Sequence, residues 1–268
     1  VSQRTYCVTH EDPLVPDHLA DYIIGIGEHR PVRGAHISAL DAYWDRMRPY
    51  AYGAAGNYVI PRAIDATGST DLTGIFSHRK IIVRTQMGKP SVVLPFLHEI
   101  PDADAKRIPR REIEPHPGFE FLIGFPINLP CGVLQQYIEA HYAIDMFEYI
   151  SMAVDIGMMT LDQAQEFGRE KIFIPGGCEM GIYPTAWVRP MLEKLEALGR
   201  EFVTRCGPRL RTYDNFQVRA VGFLAERLGS FFLLTELRQR FPAGLPRELC
   251  GTLCVICPPG GSYENAKV

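Results

Sequence analysis

Short apolar runs broken by polar or glycine-rich turns fill the first half of the chain. Thr5 to His10 is β-prone and predicts a first strand, and Tyr22-Ile23-Ile24-Gly25-Ile26-Gly27 predicts a second, short and buried. Residues 38–49 and 57–65 carry apolar positions at helical spacing. Leu72 to Phe76 and Lys80 to Val83 are apolar runs on either side of Ser77-His78-Arg79, which predicts two strands flanking a polar turn. Residues 88–118 are rich in proline and charge. They predict a long loop region with one strand near Val92 to Phe96, and structureless stretches of this length are often functional.

The second half has a longer period. Phe119 to Phe125 predicts a buried strand, and residues 132–156 a long helix ending near Gly157. Thr160-Leu161-Asp162-Gln163 has the form of a capping box, with Thr and Gln placed to bond each other's backbone N–H. Ile172 to Ile174 and Met180 to Tyr183 predict short strands around Pro175-Gly176-Gly177. Pro184 opens a helix to about Arg205, and a last helix covers roughly 214–240. Strands alternating with helices, then helices alone, predict an α/β sheet followed by a helical C-terminal region. No composition break marks two independent units, so the reading is one domain over 1–268. Its sheet-rich part covers about 1–125 and its helix-rich part about 126–250.

Composition narrows the function. The chain has 268 residues, and 46% of them are apolar and 22% charged. A chain of this length buries about 75% of its unfolded surface and needs no disulfide or structural metal to fold. The 28 basic residues nearly balance 31 acidic ones, which argues against nucleic-acid binding by bulk charge. No apolar run approaches the roughly 20 residues of a membrane span, and the first residues lack the pattern of a signal peptide. The seven cysteines are odd in number and irregularly spaced, which predicts reduced thiols. The expected workplace is the cytoplasm, either free or at a membrane periphery. An excess of Arg over Lys, with frequent Pro and Gly, fits a high-GC bacterial source.

Several motif candidates fail. Gly25-Ile26-Gly27 follows a strand, but the third glycine of a dinucleotide loop is missing. Cys250, Cys254 and Cys257 have the spacing of an iron–sulfur cluster, yet nothing follows them to build the fold such clusters serve. They read as small hydrophobes on a β-prone tail. Asp102-Ala103-Asp104 has the Asp-x-Asp form that holds a divalent metal against a diphosphate. Lys106 and Arg107 follow at once, and the stretch reads better as a solvated loop or a helix start. No metal ligands are assigned, and no cofactor is firmly implied.

Four constellations remain. Thr9-His10 ends the first strand, where open α/β sheets bind ligands. Ser77-His78-Arg79-Lys80 places cationic groups between apolar strands. They could grip an anion or protect an edge strand, and the spacing fits both. Tyr137, His141 and Asp145 recur at i, i+4 and i+8 on the predicted long helix. His141 with Asp145 reads more readily as a polar contact at a helix interface than as a catalytic pair. Arg219, Phe223, Glu226 and Arg227 share one side of the last helix, with Glu226 placed to pair with Arg219 or Arg227.

Together these segments resemble a family of bacterial glycosyltransferase-like domains from capsular and exopolysaccharide gene clusters, first described as a domain of unknown function. The matching segments occur in order. They are Tyr6-Cys7-Val8-Thr9-His10, Ile23 through Gly27, Gly74 through Lys80, then Gln135-Gln136-Tyr137 with His141 and Asp145, and Arg219 through Leu228. They span about residues 5–235, and the last is the most specific. The chain is a divergent member of this pattern. Glu11 stands where the family has Lys, Ser77 where it has His, and no Glu-Leu-Thr helix start precedes Tyr58.

The resemblance implies a GT-A-like fold with a mixed central sheet. It implies transfer of a sugar from a nucleotide-sugar co-substrate to a hydroxyl acceptor, in polysaccharide, glycoconjugate or natural-product biosynthesis. A non-catalytic nucleotide- or sugar-binding protein on the same fold is the alternative. By carry-over, Thr9 and His10 lie near the nucleotide, and Ser77, His78, Arg79 and Lys80 at the diphosphate. His141, Asp145, Arg219, Glu226 and Arg227 line or brace the cleft. Glu179, in Glu179-Met180-Gly181-Ile182-Tyr183, falls where similar enzymes have an acceptor-side strand. It is either a general base or a hydrogen-bonding substitute. Divalent metal is not favoured, and the 84–118 segment is the candidate for acceptor specificity.

Overall fold

The computed structural model describes residues 1–263. Alternation along the first strand, β1 (Gln3–Thr9), divides the core. Successive side chains of a strand point to opposite faces. Tyr6 and Val8 therefore enter one buried cluster and Cys7 the other. β2 (Tyr22–Gly25) and β3 (Gly34–His36) follow in parallel on one side of β1. Four helices then cross the larger core: α1 (Ile37–Leu40), α2 (Ala42–Ala51), α3 (Gly53–Tyr58) and α4 (Ile60–Thr67).

β4 (Leu72–Ser77) returns on the other side of β1, again parallel, and turns through His78-Arg79 into β5 (Lys80–Val83). β4 is thus an interior strand, so edge protection does not explain the charged turn. Since His78 and Arg79 form the turn itself, strand alternation does not set their directions.

The proline-rich segment is structured. It forms β6 (Lys89–Pro90), β7 (Leu97–Pro101), α5 (Asp102–Ala105) and a 3₁₀ turn at Arg110–Ile113. Its strand begins at Leu97, where the sequence pattern placed it near Val92 to Phe96. Ala105, Ile108 and Ile113 cover the second core, which gives the segment a packing role. β8 (Ile123–Gly124) and β9 (Ile127–Asn128) come next.

The predicted long helix over 132–156 is two helices, α6 (Val133–Ile138) and α7 (Ala143–Asp155). Gln217 reaches the break, donating from Nε2 to Ala140 O at 2.9 Å. The other helical windows also split. Asp41 accepts from Tyr43 N at 2.8 Å and restarts the chain as α2. α8 (Leu161–Arg169) starts at the expected capping box: Thr160 Oγ1 accepts from Gln163 N, and Gln163 Oε1 accepts from Thr160 N.

β10 (Ile172–Phe173) pairs with β9, and β11 (Gly181–Pro184) runs antiparallel to β4. Two long helices, α9 (Thr185–Leu210) and α10 (Ala220–Arg240), pack against the larger core. β12 (Cys250–Cys257) then inserts between β5 and β7, giving the sheet order β3-β2-β1-β4-β5-β12-β7-β6, with β11 on β4 and β8 on β12. The apparent tail is an interior strand. Its three cysteines are buried and free, and burial pushes the Cys254 thiol up to about 12. The result is an α/β fold with a mixed central sheet and a helical C-terminal half. No helix among the described residues is long and apolar enough to cross a membrane.

Candidate functional site

The strand order reverses at β1: β2 lies on one side and β4 on the other. In open α/β sheets the crevice beyond the strand C-termini at such a reversal is where ligands bind. At that edge stand Thr9, which ends β1, His10 just after it, Ser77, which ends β4, and His78 of the following turn. Thr9 Oγ1 lies 3.2 Å from His78 Nδ1, and His78 Nε2 lies 3.1 Å from the Glu11 carboxylate. The His10 and His78 rings stand 5.2 Å apart. Burial holds His78 below the ordinary imidazole range, with Glu11 opposing the shift. Glu11 therefore offsets positive charge beside His78.

The second group comprises Glu179 and Glu226, two carboxylates electrostatically coupled to Lys80. Gly176 and Gly177, at φ 86° and 49°, turn the chain between β10 and β11, a conformation that favours glycine. A side chain on Gly177 would meet the backbone of α10. Two groups on α10 secure the turn: Ser230 Oγ accepts from Ile174 N at 2.8 Å, and Glu226 Oε1 accepts from Gly176 N at 3.0 Å. The turn delivers Glu179, whose Oε1 is buried and has no hydrogen-bond partner among the described residues. Burial, reinforced by Glu226, pushes the Glu179 carboxyl well above the usual carboxylate range, and Lys80 opposes the shift. Burial lowers Lys80 in turn, while Glu226 and Glu179 favour its charge. Tyr263 covers both cations of the turn, its ring centroid 5.4 Å from Arg79 Cζ and 5.8 Å from Lys80 Nζ. Ser77 Oγ approaches Met180 Sδ at 3.9 Å.

The remaining expected residues stand behind these groups. Glu226 turns to Gly176 in place of the expected arginine partners. Arg227 is buried and donates to Gln136 Oε1 at 3.0 and 2.9 Å and to Phe223 O at 2.7 Å, tying α10 to α6. His141 stacks on Phe216 and Phe223, with Nδ1 3.0 Å from Gln217 Oε1. Asp145 does not orient His141. Its buried carboxylate accepts from Arg209 Nη2 at 2.7 Å, because the helix break sends α7 toward α9. Asp102 and Asp104 pair with Lys106 and Arg107 at the start of α5, as the sequence reading favoured. Among the described residues, no three His, Cys, Asp or Glu side chains cluster so as to hold a metal ion.

Two residues at the crevice mouth escaped sequence reading, Arg48 and Tyr52. Arg48 Cζ lies 5.8 Å and Arg219 Cζ 5.0 Å from the centroid of the Tyr52 ring. No spacing signal marks them, because their neighbours Gly27 and Arg219 are remote in sequence. The Gly176-Gly177 turn did carry a signal, its glycine pair between two short strands.

No protein-family model matches the chain, and no curated protein matches it in sequence. Among solved structures, the chain is similar to the apo structure of the WbbM bifunctional glycosyltransferase, with a TM-score of 0.72 at 11% identity. The superposition covers 96% of this chain and 45% of that one, so this chain spans about half the length of its structural neighbour. At this identity the likeness establishes a shared fold.

Proposed function

We propose that the protein is a glycosyltransferase that moves a sugar from a nucleotide-sugar donor to a hydroxyl acceptor, with a GT-A-like fold. The observation that carries this reading is Glu179. It is a carboxylate with an unpartnered buried oxygen, set beside the strand-end crevice of a fold shared with a glycosyltransferase. A carboxylate of raised pKa is a stronger base than an exposed one, which suits it to take the proton of an acceptor hydroxyl. In this reading Lys80 stabilises the ionised form of Glu179, and Glu226 positions the turn. Thr9, His10 and His78 border the nucleotide. His141, Asp145 and Arg227 brace the helices behind the cleft. The in-order family resemblance supports a role in polysaccharide or glycoconjugate biosynthesis, with the chain working in the cytoplasm or at a membrane periphery.

The test is release of UDP, GDP or dTDP from sugar donors, with and without saccharide acceptors. Glu179→Gln is expected to lower acceptor-dependent turnover by about 10²–10⁴-fold. Full turnover in that variant would remove Glu179 from the mechanism. Nucleotide binding without any turnover would favour the binding-protein alternative.

A further inference from the structure

Tyr52 joins α2 to α3 with φ 52° and ψ −118°, and among the described residues it is the one non-glycine side chain at positive φ. An L-residue with a bulky side chain is strained there, and such strain collects at ligand-binding sites. The phenol is 39% exposed, so a buried core does not explain the conformation. Its ring instead sits between three groups from different parts of the chain. Arg48 Cζ is 5.8 Å away, Arg219 Cζ 5.0 Å, and the His10 ring centroid 6.4 Å.

The two arginines are uncompensated. Among the described residues, neither lies within 4.0 Å of a carboxylate. Gly27 explains how Arg48 reaches the mouth. A Cβ added to Gly27 would stand 3.4 Å from Arg48 Cζ and 3.6 Å from Nε and Nη2, so the guanidinium lies against the bare backbone just past β2. The Gly-x-Gly that fails as a dinucleotide loop thus seats an arginine. Arg219 Cζ also lies 5.1 Å from the Phe216 ring and 5.6 Å from the Phe223 ring, and it shares the Tyr52 ring with Arg48. Two guanidiniums over one ring repel each other, and an anion that both can fork relieves that repulsion.

We propose that Arg48, Tyr52 and Arg219 form a diphosphate-binding subsite at the end of β1, with Tyr52 as the strained platform that holds both guanidiniums toward the ligand. The inference deepens the transferase reading. It places the diphosphate on these arginines, where the family resemblance points to the Arg79-Lys80 turn.

Inorganic pyrophosphate, followed by isothermal titration and thermal shift, is the probe, with UDP, GDP and dTDP as competitors. Arg48→Gln and Arg219→Gln are each expected to weaken pyrophosphate binding about 10- to 100-fold, as expected for loss of a charge-assisted hydrogen bond. Tyr52→Gly should also weaken binding, yet raise the ligand-free melting midpoint by about 2–4 °C because glycine accepts positive φ. Tyr52→Phe should keep the affinity. Pyrophosphate binding that is unchanged in both arginine variants, or absent in the wild type, would overturn the subsite. A lowered midpoint in Tyr52→Gly would overturn the platform role. If pyrophosphate binds through Arg48 and no nucleoside diphosphate displaces it, the subsite stands and the donor reading falls.

Discussion

Glu226 accepts a hydrogen bond from the Gly176 amide, Oε1 to N at 3.0 Å, and so fixes the turn that presents Glu179. The two carboxylates are also electrostatically linked, since Glu226 helps to raise the Glu179 pKa. The two roles can be separated. Glu226→Gln keeps an acceptor for Gly176 and removes the charge. Its acceptor-dependent turnover should reach the wild-type plateau, with the acid limb of the pH–rate profile moved to lower pH. Glu226→Ala loses both functions and should lower the plateau itself. A Glu226→Gln profile that overlays the wild type would show that the charge has no part in tuning Glu179.

Glu179 also makes stability depend on pH. In the unfolded chain its carboxyl ionises near the ordinary value of about 4.3. In the folded chain ionisation needs a higher pH. Between the two the folded state holds the extra proton. The favourable contribution is therefore complete below the unfolded value and is lost as pH rises through the raised folded value. Glu179→Gln should be more stable than wild type at pH 8 in urea melts, and the difference should shrink toward pH 4. A variant less stable at pH 8 would contradict the desolvation account.

Asp145 and Arg209 join α7 to α9 through a buried carboxylate. Arg209→Met leaves that carboxylate without its main partner. A loss of about 3 kcal/mol is expected, the low end for breaking a buried pair because Arg209 itself is partly exposed. Chemical denaturation measures this directly. The pH profile of turnover should keep its shape, which would separate a structural Asp145 from the catalytic role that the resemblance allows.

Gly56 sits on α3 where that helix crosses β1, and a Cβ there would fall inside the Val8 side chain. Val8 belongs to the larger core, so it has little room to move. Gly56→Ala should destabilise the fold by about 1–3 kcal/mol, the usual cost of overpacking. A neutral thermal shift would mean that α3 can slide.

Much of the fold was legible because it rests on local signals. The β-prone segment Thr5 to His10 and the apolar run Leu72 to Phe76 became β1 and β4. The Thr160/Gln163 pair became a capping box, and Pro184 preceded a helix. Helix breaks were not legible, since Asp41 and Gln217 act there through specific hydrogen bonds that apolar spacing does not encode. Nor was the place of β12, because a Cys-rich apolar run reads alike as a tail or as an interior strand.

The sequence by itself determined the class of fold, the near-neutral charge and the chemistry available at the ends of two strands. Tertiary structure decided which charges meet. Lys80 stands with Glu179 and Glu226, Arg227 with Gln136, Asp145 with Arg209, and Arg48 with Tyr52 and Arg219. Apart from Arg48 and Tyr52, which are close in sequence, these partners lie tens of residues or more apart along the chain. Their pairing follows from sheet order, helix breaks and two glycine-dependent close approaches, and each of these is set by packing across the whole core.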